Sequence, residues 1–309
     1  MLSAIAMAYI QPHPKAVRND NLINCSNLII TMKLKILGSG AWEGIPVPFC
    51  KCKICESAKK PKSKDNRTRP QILIESEKNQ FLIEISPDIR IQSTKFNLPN
   101  ISNFLISHWH FDHMYGLLEL HAWAEFVLGQ KPKLFCSPKT KEWLDQSFAH
   151  IPKEIIVVKP FEKFDLFGIE ITPIPIYHMK GRDKDVKENE LNNAFGFVLE
   201  KNGKKAVYLA DYYKLPNKSL ELIKNSDLVI ADGTYLFEEM FPDKPEQNNL
   251  KSDPDHLHGK QILDFTGGLN AKKVIFHSIS HLTEKSHDEL QKLLPKNMFL
   301  SYDGMELAL

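Results

Sequence analysis

The sequence predicts an α/β fold of four layers, two packed β-sheets with helices outside them (αββα). Three observations carry this. The early apolar runs come in hairpin-like pairs, the later ones alternate with helical runs, and no linker or internal repeat divides the 309 residues. The composition, 42% hydrophobic and 25% charged, is that of an ordinary globular chain and speaks against disordered and coiled-coil classes. With no apolar run of 18 residues, nothing in it reads as a membrane span. Lys and Arg total 40 against 38 Asp and Glu, and a net charge of +2 gives no polycationic field for nucleic acid.

Taken in order, residues 1–31 read as a poorly structured extension, dispensable or preceding a true start at Met32. A single domain then fills 32–309. Strands are predicted at 33–37, 71–75, 81–85, 104–107, 154–158, 169–176, 195–200, 206–210, 228–231 and 273–276. Glu77-Lys-Asn-Gln80 is the polar turn of one hairpin. Helices are predicted at 117–128, 139–148, 219–224, 258–265 and 284–293. Two charged segments interrupt this pattern and are expected as surface loops: a basic one at 59–69, holding Arg67 and Arg69, and an insertion at 179–193. The first has the groups to grip a remote phosphate, and the second is placed to overhang a site near His178.

Chemistry concentrates after the strand at 104–107. Ser107-His108-Trp109-His110-Phe111-Asp112-His113 puts three imidazoles and a carboxylate within six residues of a strand-to-helix turn, where burying them unpaired would be costly. His178, Asp211, Asp232, His277 and His281 each end an apolar run or lie just past one. Together they supply enough imidazole and carboxylate for two metal ions, and imidazole with carboxylate suits zinc, manganese or iron. Cys50, Cys52 and Cys55 crowd into six residues of a chain with five cysteines. That spacing fits a thiophilic metal in a reducing compartment better than a disulfide framework, and places the protein in the cytoplasm.

These motifs resemble those of the metallo-β-lactamase-fold hydrolases, whose hallmark is His-x-His-x-Asp-His followed by a distant His, Asp and His. Within them the chain is most similar to the phosphodiesterases of phosphonate catabolism that open 5-phosphoribosyl 1,2-cyclic phosphate. The likeness runs from Lys33 onward. It includes the opening Gly38-Ser-Gly-Ala-Trp-Glu-Gly-Ile-Pro46, the cysteine cluster and the closing Tyr302-Asp-Gly-Met-Glu306.

The resemblance implies a metallo-β-lactamase four-layer sandwich with two divalent ions, manganese or zinc, at the active site. His108, His110 and His178 would hold one ion, Asp112, His113 and His277 the other, and Asp211 would bridge them. A hydroxide between the ions would attack phosphorus, and His256, with His258 as rival, would protonate the leaving group. Cys50, Cys52, Cys55 and His281 would close a structural zinc. One departure is visible. His277 stands one position before the family's last catalytic-metal histidine, where this chain has Ser278, so the turn must absorb the offset. The implied partner is a small phosphodiester, with a homodimer in prospect and neither membrane nor nucleic acid. A tRNA-end endonuclease, a lactonase and a cofactor-biosynthesis protein of the same fold are the alternatives.

Overall fold

The computed structural model describes residues 32–129, 131–178, 191–240 and 253–309. The expected extension at 1–31 and most of the insertion at 179–193 lie outside the described residues. Two seven-stranded sheets stack face to face, as the apolar runs predict. The first holds β1 (Met32–Gly38), β2 (Gln71–Ser76), β3 (Asn79–Ile83), β4 (Asn103–Leu105), β5 (Lys133–Cys136), β6 (Glu154–Val157) and, at its far edge beside β1, β14 (Glu306–Ala308). The second holds β7 (Phe164–Leu166), β8 (Ile169–Ile176), β9 (Ala194–Lys201), β10 (Lys204–Tyr208), β11 (Leu228–Asp232), β12 (Val274–His277) and β13 (Met298–Leu300). Each sheet is antiparallel in one half, where hairpins form it, and parallel in the other, where crossovers do.

Alternation along the strands sorts side chains between two cores. Ile72, Ile74, Phe81, Ile83 and Leu105 face the second sheet and meet Ile171, Phe195, Phe197, Val207, Ile230 and Ile275 there. Their sequence neighbours Leu73, Leu82 and Phe104 point the other way, onto the helices outside the first sheet. Those helices are α2 (Ile89–Lys95), α3 (Phe111–Met114), α4 (Leu117–Trp123), which runs into a π-turn at Ala124–Leu128, and α5 (Pro138–Ser147). Leu220, Ile262 and Leu290 bring α6 (Asn217–Ile223), α7 (Gly259–Gly268) and α8 (His287–Gln291) onto the second sheet. A short helix, α1 (Lys53–Ala58), follows the cysteines.

Two predicted elements are shorter than expected for identifiable reasons. The strand expected at 81–85 stops at Ile83 because Glu84 turns to φ 69°. The helix expected at 284–293 begins only at His287, since Glu284 has φ 54° and Ser286 with Glu289 forms a capping box. The four described cysteines are free thiols, and no described helix is long and apolar enough to cross a membrane.

Candidate active site

One edge of the stacked sheets collects the chemistry. β10, β11 and β12 are parallel neighbours, and β8 runs with them through two antiparallel pairings. Their C-terminal ends, with the two or three residues beyond them, therefore present His178, Asp211, Asp232 and His277 together. From the first sheet, β4 continues into His108, and the turn into α3 brings His110, Asp112 and His113. Gly116 lets this turn lie flat. A Cβ there would stand 2.1 Å from the Ser86 carbonyl oxygen, and the glycine N–H donates to Ile85 O at 3.0 Å.

Ligand atoms of His108, His110, His178 and Asp211 all lie within 4.8 Å of one another, as do those of Asp112, His113 and Asp211. Asp211 is common to both groups. Its Oδ2 is 3.9 Å from His108 Nε2, 3.8 Å from His178 Nε2 and 3.5 Å from His113 Nε2. Outer partners orient the imidazoles. His178 Nδ1 donates to Asp255 O at 2.8 Å, which leaves the Nε2 lone pair facing inward. His108 Nδ1 meets Ser107 Oγ at 2.9 Å, and His113 Nδ1 faces Glu84 Oε1 at 3.3 Å.

His277 joins neither tight group among the described residues, yet it is buried beside His113 and Asp211. The following residue, Ser278, takes φ 56°, and this left-handed turn sits where the sequence shows the one-residue offset.

The donors fit divalent cations. His108 Nε2, His113 Nε2 and His277 Nε2 are buried without a hydrogen-bond partner, an arrangement that costs about 1–3 kcal/mol per group if nothing else occupies the site. Burial, with the neighbouring imidazoles, pushes His108 well below its ordinary pKa. Burial does the same to His178 despite Asp211, and takes His277 down to about 3. These three rings are therefore neutral, the form that ligates. The cleft above them, about 210 Å³, is lined by Asp112, Asp211, Asp253 and Asp255, and by no described Lys or Arg. An anionic substrate would be repelled there without cations.

His256 and His258 divide sharply. His256 Nδ1 lies 2.7 Å from Asp232 Oδ2, and its Nε2 faces the cleft 4.0 Å from Asp211. Asp232 is itself fixed, its Oδ1 accepting from Thr234 N at 2.9 Å and Thr234 Oγ1 at 2.7 Å. Burial opposes the His256 cation, but Asp232, with Asp211 and Asp253 behind it, holds the pKa up to about 9. His258 has both nitrogens engaged, Nδ1 with Glu238 and Nε2 with Asp253 O at 2.6 Å, while its ring stacks on Tyr235. It is a helix-start brace.

In a separate cluster, sulfur and nitrogen atoms of Cys50, Cys52 and His281 lie within 4.8 Å of one another. The Cys55 thiol sits against Cys50 and Cys52, its pKa pushed up to about 12 by burial, and accepts from Val47 N at 3.3 Å. Glu43 Oε1 lies 3.2 Å from His281 Nδ1 and accepts from Ser280 Oγ at 2.8 Å, so His281 Nε2 is left for the thiols.

The phosphate grip expected of the basic loop is corrected. Arg67 is buried, donating to Ser39 Oγ, Ser301 O and His287 Nδ1. Arg69 is spent on a bidentate pair with Asp88 at 2.9 and 2.6 Å. Two contacts were not visible in the sequence. Glu84, which backs His113, shows in sequence only as an acid inside an apolar run. Asp232, read among the candidate ligands, pairs with His256, and the ligand atoms of these two and Asp211 also lie within 4.8 Å of one another.

Two stacked mixed sheets, helices outside and a His/Asp cluster at the strand ends define the metallo-β-lactamase fold, the scaffold of metal-dependent hydrolases. The chain belongs to the beta-lactamase superfamily domain family, whose model matches residues 79–279. Among curated proteins it is 25% identical over 286 residues to an octanoyltransferase of Porphyromonas gingivalis, covering 89% of this chain and 51% of that protein. The chain thus spans about half the length of that relative. It is 24% identical to coenzyme PQQ synthesis protein B of Klebsiella pneumoniae, covering 90% of this chain and 98% of the relative. Among solved structures, a new diphosphatase from the PhnP family superposes with a TM-score of 0.73 at 26% identity, covering 91% of this chain and 98% of that one. Zn(2+)-bound PqqB from Methylobacterium extorquens gives 0.73 at 21% identity, covering 90% and 100%.

Proposed function

We propose that the protein is a dinuclear metal-dependent phosphodiesterase that opens a small cyclic phosphate, in the manner expected for 5-phosphoribosyl 1,2-cyclic phosphate. One observation carries this: two ligand groups share Asp211 beside a histidine held for proton transfer by Asp232. His108, His110, His178 and Asp211 would hold one ion, and Asp112, His113, His277 and Asp211 the other. Two divalent ions, manganese or zinc, supply an acidified water and neutralise phosphoryl oxygens.

The chain's own residues do the rest. Asp232 fixes His256 Nδ1–H, so Nε2 presents its proton to the cleft. As the water oxygen bonds to phosphorus, the ester P–O bond breaks and the leaving alkoxide takes that proton. Cys50, Cys52, Cys55 and His281 would hold a third ion, a zinc closed to chemistry that staples the 47–55 loop to the 279–281 turn. Similarity to the PhnP-family diphosphatase supports phosphoryl chemistry. A second reading, work on a cofactor precursor, is favoured by the similarity to coenzyme PQQ synthesis protein B. The test is ring opening across a panel of cyclic phosphates by protein reloaded with manganese or zinc, against metal-stripped protein. Metal-dependent opening of any member supports the proposal, and none with both ions bound sinks it.

A further inference from the structure

The loop leading into the cysteines carries an anomaly. Cys50 N donates to Val47 O at 3.1 Å, closing a turn with Pro48 and Phe49 at its centre. Phe49 takes φ 64°, the left-handed region that favours glycine at this place in a turn. Its side chain is also fully open to solvent, at 101% exposure. Phe161 and Phe167 share the positive φ, yet both pack against the main hydrophobic core. Phe49 joins no hydrophobic cluster among the described residues, so neither its backbone strain nor its exposure is offset there. The loop beneath it is stiff. Ile45 and Arg67 exchange backbone hydrogen bonds at 2.7 and 2.8 Å, Val47 N reaches Cys55 Sγ at 3.3 Å, and Ile45 packs with Ile54, Cys55 and Ala58. An apolar tip presented this rigidly loses little freedom when something receives it.

The chemistry around the tip says what would receive it. Every side chain from Ile45 to Phe49 is apolar, and Pro46, Pro48 and Phe49 are exposed. The tip itself therefore brings no hydrogen-bonding side chain to a base edge. The residues that follow are basic: Lys51, Lys53, Lys59, Lys60, Lys62 and Lys64 are all exposed. Lys53, Lys59 and Lys64 meet Glu289, Glu56 and Asp288 in surface ion pairs, and six ammonium groups against these three carboxylates leave a surplus of three. Because α1 has six residues and spans about 9 Å, the lysines past its end stay within about one Debye length of those at its start. An apolar point collared by ammonium groups is complementary to a bilayer that carries anionic lipid, the ring entering among the acyl chains while the lysines stay with the headgroups. We propose that this loop, with Phe49 as the inserting side chain, docks the protein on an anionic membrane surface, a partner that the family resemblance does not imply. The docking does not depend on the reaction assigned to the cleft.

The experiment sediments the full chain, loaded with metal, with vesicles of phosphatidylcholine alone or mixed with phosphatidylserine. Expected is binding to the mixed vesicles, little to phosphatidylcholine alone, and release when the salt is raised about tenfold. Phe49→Ala should lower the partition coefficient roughly tenfold or more, and Phe49→Trp should keep it. Lys60→Glu together with Lys62→Glu should lower it at least as far. Phe49→Gly separates an outward role from a structural one. Glycine accepts the left-handed turn, so the melting temperature should hold or rise while binding falls as it does for Phe49→Ala. A melting temperature well below wild type for Phe49→Gly would make the ring a structural element and overturn the proposal. Equal binding by wild type and Phe49→Ala would overturn it as well, as would no binding to mixed vesicles at low salt. A single-stranded oligonucleotide bound in place of the vesicles, and lost in Phe49→Ala, would move the surface to nucleic acid and end the membrane assignment.

Discussion

His287 should act as an acid-sensitive weak point, and substituting it tests the buried network around Arg67. Arg67 Nη2 lies 3.0 Å from His287 Nδ1, and a guanidinium only donates, so Nδ1 must be the acceptor and the ring neutral. Burial, then Arg67 and Lys64, lower its pKa from the ordinary 6.5 to about 3, with Asp288 opposing. The unfolded chain therefore binds a proton below pH 6.5 that the folded one refuses. Stability from this group is full above 6.5 and is lost as pH falls toward 3.

At about 1.4 kcal/mol per unit, lowering the pH from 7.5 to 5.5 should remove about 1.4 kcal/mol through His287 alone. His287→Asn keeps an acceptor near the Nδ1 position and cannot titrate. Urea unfolding of both proteins across pH 5.5–7.5 should give curves that converge on acidification, the wild type falling faster by that amount. Parallel curves would refute the assignment of Nδ1 as an obligate acceptor for Arg67.

Three further expectations can be checked directly. Asp232→Asn, which keeps the shape but not the charge facing His256, should lower kcat by about 10²–10⁴-fold with KM little changed, read in steady-state assays. Glu84→Gln, weakening the support behind His113, should reduce metal affinity about 10–100-fold in competition with a chromophoric chelator. Cys50→Ser should remove one zinc equivalent by elemental analysis and lower the melting temperature, with the metal content of the His/Asp cluster retained.

Much of the site was legible because its residues sit where periodicity ends. His178, Asp211, Asp232 and His277 each terminate or just follow an apolar run, and strand ends are where a stacked-sheet fold gathers side chains. The hairpin from β2 to β3 was legible in the turn Glu77–Gln80. β7, β13 and β14, three residues each, were not read as strands. β5, four residues beginning Lys-Leu-Phe, fared no better. Arg67 misled for a physical reason. A cation in a basic run reads as solvated, and only the fold supplies Ser39, Ser301 and His287 from 28 to 234 residues away. His256 could be separated from His258 only by hydrogen-bond partners, which sequence spacing does not encode.

The ligand set has a consequence for how the molecule comes into being. His108, His110, Asp112 and His113 follow a strand of the first sheet, while His178, Asp211 and His277 belong to the second. Neither half of the chain can build the proposed coordination shell alone, so on that proposal catalysis requires the two layers to dock. A protein cut between β6 and β7 should produce two inert fragments whose mixing restores turnover at a second-order rate. On the proposed assignment, activity would report on layer docking, read out at a single shared carboxylate.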